Sequence, residues 1–208
     1  MENMIWDKWI SLAAQIGLSE SQSAEMQGVF GRYYGQSHRH YHNLQHIEAI
    51  LNQAYAWPEE WQDRQTIELA AWFHDIIYLS HKRDNELQSA RFAERQLAEW
   101  QVPKEQIERV SKIIMATAGH KAEGLDKDGK AFLDLDLSIL GSTPEVYVQY
   151  VAAIRKEYRR YPNLIYRPAR KKILHSFLDR ERLYFTDTGF ERWEQPAREN
   201  IKREIDNM

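Results

Sequence analysis

Apolar residues recur three and four positions apart along almost the whole chain, which is the period of an amphipathic α-helix. One such stripe begins at Ile67, continues through Ala70 and Ala71, and returns at Ile77 and Tyr78. Proline and glycine residues mark the interruptions between stripes. The pattern predicts ten helices at about 3–17, 22–35, 44–57, 62–80, 85–100, 103–118, 130–140, 144–160, 167–180 and 188–206. We therefore predict an all-α protein, with residues 1–208 forming a single helical-bundle domain.

Histidine and aspartate interrupt these apolar stripes at a few positions. An ionisable side chain on an apolar face is costly unless it is hydrogen-bonded, paired or bound to a metal. Histidine and carboxylate are also the side chains that bind divalent cations. Several such groups in one small domain indicate one shared site. The positions are His46, His74, Asp75, His120 and Asp136.

The segment 130–140 offers two aspartates, and helical spacing distinguishes them. Asp136 falls among the leucines of the apolar stripe, whereas Asp134 shares its face with Lys130 and Ser138. Asp136 is therefore the better metal ligand. Apolar residues also alternate with period two over 133–139, so a short strand is an alternative there.

Composition limits the classes of function. The chain has 208 residues, 43% of them hydrophobic and 28% charged, with a formal net charge of -3, so we expect neither a nucleic-acid nor a membrane partner. No apolar run approaches the roughly 20 residues of a membrane span, and the N-terminus is unlike a signal peptide. The absence of cysteine excludes disulfides and thiolate chemistry and fits a cytoplasmic protein. The many aromatic residues are the only basis for expecting a homodimer.

Motifs for other chemistries are missing. The sequence has no phosphate-binding glycine-rich loop and no G-x-S-x-G elbow. The polar loop 119–130, GHKAEGLDKDGK, lacks the ligand spacing and the closing glutamate of a calcium-binding EF-hand.

The order His, His-Asp, His, Asp on a helical chain resembles the HD superfamily of metal-dependent phosphohydrolases. The resemblance covers most of the chain and is greatest to the stand-alone bacterial group described as predicted metal-dependent HD phosphohydrolases. It is carried by the segments RHYHNLQHI at 39–47, AAWFHDIIY at 70–78, DNELQSA at 84–90, MATAGH at 115–120 and FLDLDLSILG at 132–141.

The resemblance implies one metal and a hydrolytic reaction. His46, His74, Asp75 and Asp136 would hold one divalent cation, which could be Mn, Fe, Co, Ni, Zn or Mg. Family members with two metals usually have two extra histidines before the last aspartate, and only His120 lies in that interval here. The substrate would be a small phosphorylated molecule, with a nucleotide favoured, and a metal-activated water would attack phosphorus.

Further roles follow by position. Some members use a glutamate three residues after the first aspartate, where this chain has Tyr78, so Glu86 is our candidate for the general base. We group Asp75, Glu86 and His120 as catalytic residues. The candidates for binding the phosphorylated substrate are Arg39, Asn43, Lys82 and Arg83.

Each assignment has a structural alternative. The four metal ligands could form a buried hydrogen-bonded network without metal, and His120 could be a hydrogen-bonded residue near a helix end. Glu86 could be a favourable charge in the first turn of a helix capped by Asp84, and Asn43 could cap the helix that carries His46. Lys82, Arg83 and the basic stretch 155–172 could be solvated. For His38, His40 and His42 we favour a solvated loop at the rim of the cleft.

The alternative function is a non-catalytic regulatory module that binds a metal or a nucleotide on the same fold. The sequence keeps all the expected ligands and shows no sensor or output domain, which favours the enzyme.

Overall fold

Every regular element in the described part of the chain is helical. The computed structural model describes residues 2–208, with side chains from residue 4 onward. The prediction of an all-α fold is therefore confirmed. The elements are α1 (Glu2–Gln15), α2 (Glu20–Tyr34), α3 (Leu44–Tyr55), α4 (Arg64–Phe73), α5 (Asn85–Glu99), α6 (Lys104–Thr117), α7 (Lys127–Asp136), a 3-10 turn (Leu137–Gly141), α8 (Pro144–Glu157), α9 (Asn163–Leu178) and α10 (Asp187–Asp206).

Side-chain caps fix where several helices begin. Asp63 accepts a hydrogen bond from the backbone N–H of Thr66 at 3.0 Å and so starts α4. Asp126 does the same for α7, accepting from the N–H of Gly129 at 2.8 Å. Such caps satisfy N–H groups that have no partner within the helix. The start of α7 at Lys127 is three residues earlier than the sequence pattern predicted.

Helix α4 lies at the centre of the core. All of its residues from Thr66 to Phe73 are buried, and it packs against α3, α5, α6 and α7. Aromatic rings fill the space between its end and the first two helices. The ring of Phe30 lies 4.9 Å from Trp9 and 4.7 Å from Trp72, measured between centroids. The last turn of α4 is therefore held rigidly, and the next residue is His74.

The predicted helix over 62–80 is shorter in the structure, because α4 ends at Phe73. Arg39 binds the backbone that follows. Its guanidinium donates to the carbonyl oxygens of Asp75 at 2.6 Å and Ile76 at 2.8 Å. Those carbonyls therefore hydrogen-bond to a side chain far away in the sequence and do not continue the helical ladder. Asp75 lies in a turn and Tyr78 in the irregular segment after it, which the apolar spacing could not indicate.

One structural alternative is excluded, and one further helix boundary differs from the prediction. The segment 133–139 is helix followed by a 3-10 turn, so the alternative of a strand is wrong. Helix α9 begins at Asn163, directly after Pro162, and Pro168 lies inside it. Proline removes one hydrogen bond to the carbonyl four residues earlier. That carbonyl belongs to Leu164, which is 87% exposed, so water can satisfy it.

Among the described residues, no helix combines the length and the apolar character needed to cross a membrane.

Candidate metal centre

Three helix ends bring the candidate ligands together. His46 lies in the first turn of α3, which Asn43 caps by accepting from the N–H of Gln45 at 2.9 Å. His74 follows the last residue of α4, and Asp136 is the last residue of α7. Both histidines are buried. The three side chains form a group that could hold a metal ion.

The distances within this group suit ligands of one cation. His46 Nε2 lies 3.2 Å from His74 Nε2 and 3.1 Å from Asp136 Oδ1. Asp75 Oδ2 lies 3.1 Å from His74 Nε2 and 3.7 Å from His46 Nε2. Metal–ligand bonds of about 2.0–2.2 Å place neighbouring ligand atoms roughly 3 Å apart. The donor set therefore fits a divalent cation, with Asp75 beside the three-residue group.

The tautomer of His74 supports this role. Its Nδ1 lies 3.0 Å from the carbonyl oxygen of Ala71, which can only accept a hydrogen bond. Nδ1 therefore carries the proton, and in the neutral ring the lone pair of Nε2 faces the cluster. Burial alone would lower the pKa of His74, but the carboxylates of Asp75 and Asp136 raise it to about 9. The same cluster that attracts a proton would attract a cation.

His120 binds the other oxygen of Asp136. Its Nε2 lies 2.9 Å from Asp136 Oδ2. Helix α6 ends at Thr117, and His120 sits in the following turn with φ 50°. Gly119 before it has φ 95°, which favours glycine. The turn orients His120 toward the cluster, where it holds the carboxylate of Asp136.

The structure separates the two aspartates of α7, but the expectation from helical spacing that Asp134 lies on a polar face is wrong. Asp136 belongs to the cluster and Asp134 does not. Asp134 is nevertheless fully buried. Its carboxylate accepts hydrogen bonds from the backbone N–H groups of Phe185 at 2.7 Å and Thr186 at 2.8 Å. Asp134 therefore anchors the segment before α10.

Sequence reasoning missed Glu157 as a residue of the site. Its Oε1 accepts the backbone N–H groups of His40, Tyr41 and His42 at 2.7–3.0 Å. Its Oε2 lies 2.7 Å from His42 Nδ1 and accepts from the hydroxyl of Tyr78 at 2.9 Å. His42 is therefore anchored by a buried carboxylate, and our interpretation of it as part of a solvated loop is wrong. No local sequence signal links residues 115 positions apart.

These contacts shift the pKa values of Glu157 and His42. Burial opposes the charged form of Glu157, but the hydrogen bonds from His42 and the backbone outweigh it and lower its pKa to about 2. Burial likewise opposes protonation of His42, but the charges of Asp75 and Glu157 and the hydrogen bond to Glu157 raise its pKa above the usual value. His42, held by the carboxylate of Glu157, lines the larger of the two pockets described next.

Two pockets open onto the cluster, and Tyr41, Asp136 and Tyr150 line both. The larger has a volume of about 650 Å³, and the smaller about 450 Å³. The predicted site residues divide between them. The larger is lined by Asp75, Lys82, Arg83, Glu86 and His120, and the smaller by Asn43 and His46.

Three of the residues predicted to bind substrate or to act in catalysis, Lys82, Arg83 and Glu86, line the larger pocket. Lys82 and Arg83 are exposed at its mouth, and Glu86 is half-buried in the first turn of α5. Asp84 precedes this helix but makes no side-chain cap hydrogen bond. The expected cap by Asp84 is therefore wrong, whereas the first-turn position of Glu86 fits both a favourable helix-start charge and a residue of the pocket.

Arg39 does not reach either pocket. Besides the carbonyls of Asp75 and Ile76, its guanidinium binds the carbonyl of His42 at 3.1 Å and the side chain of Gln36 at 3.0 Å. It is 6% exposed. Arg39 thus clamps the turn that carries Asp75, and this placement argues against the substrate-binding role that we expected. Asn43 is a helix cap, as its structural alternative proposed.

No family model, no curated protein and no solved structure matches the chain.

Proposed function

We propose that this protein is a metal-dependent phosphohydrolase of the HD type, acting on a small phosphorylated substrate. The observation that carries the proposal is the His46–His74–Asp136 group, of which Asp136 lines the larger pocket and His46 the smaller. Nitrogen and carboxylate ligands without thiolate, beside an accessible cavity, are typical of catalytic metal sites. A purely structural metal site is normally closed by protein ligands.

The lining of the larger pocket favours a phosphate ester. When bound, a divalent cation polarises a phosphoryl oxygen and acidifies a water molecule. Lys82 and Arg83 at the mouth place positive charge where an anionic substrate would enter. Glu86 lines the same pocket and is our candidate to accept the proton of the attacking water. His120 and the clamp from Arg39 keep Asp136 and Asp75 in place.

The aromatic part of the pocket lining favours a substrate with a flat organic group. Tyr158, Tyr161 and Tyr166 line it together with the aliphatic side chains of Ile165 and Ile173. Aromatic rings stack on planar groups and also offer hydroxyls for hydrogen bonds. A nucleotide combines a planar base with a phosphate, and we therefore propose a nucleotide as the substrate class.

The test is phosphate release from a panel of nucleotides and other phosphorylated metabolites. Each compound is incubated with the protein and added Mn, Co, Ni or Mg, and D75A is assayed in parallel. D187A is the matched control, because the side chain of Asp187 is 89% exposed. Metal-dependent release that D75A abolishes and D187A retains would support the proposal. A wild type that binds metal but releases no phosphate would favour the non-catalytic regulatory module.

A further inference from the structure

Arg180 lies in the wall of the larger pocket with an unused hydrogen-bond donor. Its Nη2 donates to the carbonyl oxygen of Gly119 at 2.9 Å, and its guanidinium carbon lies 4.8 Å from the ring centroid of Phe177. Its Nη1 is buried and has no hydrogen-bond partner among the described residues. These contacts hold the guanidinium in place while leaving part of it unsatisfied.

An unsatisfied buried donor on a cation is unfavourable, so its presence calls for a partner. Burial lowers the pKa of Arg180, yet a guanidinium stays protonated in proteins. No carboxylate among the described residues lies within ion-pair distance of it. A bound anion would satisfy both the charge and the free N–H.

Neighbouring arginines do not share this feature. Arg182 pairs with Asp187 at 3.0 Å and donates to the carbonyl of Thr186. Arg198 pairs with Glu194 at 2.7 Å and also donates to backbone carbonyls. Of these three arginines, the one with the unsatisfied donor, Arg180, is the one that lines the pocket.

The position of Arg180 connects it to the metal centre. Gly119, whose carbonyl it binds, directly precedes His120, and His120 contacts Asp136. Arg180, His120, Asp136 and Asp75 all line the same pocket. An anion bound by Arg180 would therefore lie in the same cavity as the cation ligands.

We propose that Arg180 binds a phosphate oxygen of the ligand of this pocket. The choice of phosphate among anions rests on the proposed function. The planar guanidinium suits phosphate, because its N–H groups can form parallel, charge-assisted hydrogen bonds. Arg180 is then a substrate-binding residue in the same pocket as the exposed Lys82 and Arg83.

The experiment measures inorganic phosphate binding by calorimetry to the full-length protein. The protein is loaded with one equivalent of whichever cation it binds most tightly among Mn, Co, Ni and Zn. We expect R180Q to weaken phosphate binding about 10- to 100-fold, the usual loss for a hydrogen bond to a charged group. The phosphate affinity of R180K should lie between those of the wild type and R180Q, because lysine keeps the positive charge but lacks the planar guanidinium. R182Q is the matched control and should bind phosphate as the wild type does.

Metal affinity and thermal unfolding are measured on the same variants. Unchanged phosphate affinity in R180Q would overturn the proposal, and so would a wild type that binds the cation but no phosphate. Loss of the cation in both R180Q and R180K would also overturn it, since Arg180 would then support the turn at Gly119. Phosphate binding that depends on Arg180, in a protein that hydrolyses no ester, would instead refute the hydrolase and leave this assignment standing.

Discussion

Replacing Glu157 with glutamine tests whether one buried carboxylate holds the loop 40–42 against the site. The wild-type side chain is nearly inaccessible and accepts hydrogen bonds from three backbone N–H groups, His42 and Tyr78. Glutamine keeps the shape, but it is uncharged and its amide can offer only one oxygen. The Nδ1–H of His42 and the hydroxyl of Tyr78 would then meet an NH₂ group. We expect E157Q to fold and to be less stable at neutral pH.

The magnitude follows from the pKa of Glu157. Its pKa is about 2 in the folded protein, against an ordinary value of 4.5. Because each pKa unit is worth about 1.4 kcal/mol, ionisation of Glu157 stabilises the folded chain by about 3 kcal/mol. The folded pKa is lowered, so this contribution is present above the unfolded pKa. It is lost as the pH falls through 4.5 toward 2, with about 2 kcal/mol lost between roughly pH 5 and pH 3.

The assay is urea unfolding of wild type and E157Q at several pH values from about 5 to 3. His42 is protonated in the folded and the unfolded chain throughout this range, so its own titration does not contribute. The difference in unfolding free energy between the two proteins should shrink as the pH falls. E191Q changes an exposed glutamate of α10, and its unfolding free energy should depend on pH as that of the wild type does. Parallel free-energy curves for wild type and E157Q would refute the reasoning.

Four substitutions test the site itself. D75A should lose bound metal and activity while remaining folded, measured by metal content and circular dichroism; a variant that retains the metal would remove Asp75 from the ligand set. D136N should lose far more metal affinity than D134N, whereas D134N should chiefly lower the melting temperature because Asp134 holds the segment before α10; the opposite order of metal affinities would contradict the assignment. E86Q should bind metal normally and turn over about 100-fold more slowly if Glu86 is the base; wild-type rates would leave it as a helix-start residue.

The helices and the cluster were predictable because both follow from local spacing. Residues at helical intervals define the buried face of α3, α4 and α6, and His46 and His74 stand out as polar groups on those faces. Asp136 joins them in the group that could hold a metal, although the helical spacing wrongly placed Asp134 on a polar face. The confirmed parts of the prediction are therefore those for which the helical spacing of residues within a short stretch of sequence is sufficient evidence.

The remaining parts depend on contacts between distant residues. Helix α4 stops at Phe73 and the next carbonyls bind Arg39, which lies 36 and 37 positions away. Glu157 looked like a single acid in a basic stretch, and only the packing of α8 against the loop 40–42 gives it five hydrogen bonds. A single sequence contains no record of such pairings.

The dispersal of the ligands over three helix ends has a consequence for how the chain folds. His46 and His74 are 28 positions apart, and Asp136 follows much later, so their meeting requires long loops to close. Of the four proposed ligands, only His74 and Asp75 are neighbours in an unfolded chain. Tight binding of a cation by all four would therefore require the helices to have packed, and a bound ion would then stabilise the folded state by an amount that rises with its free concentration.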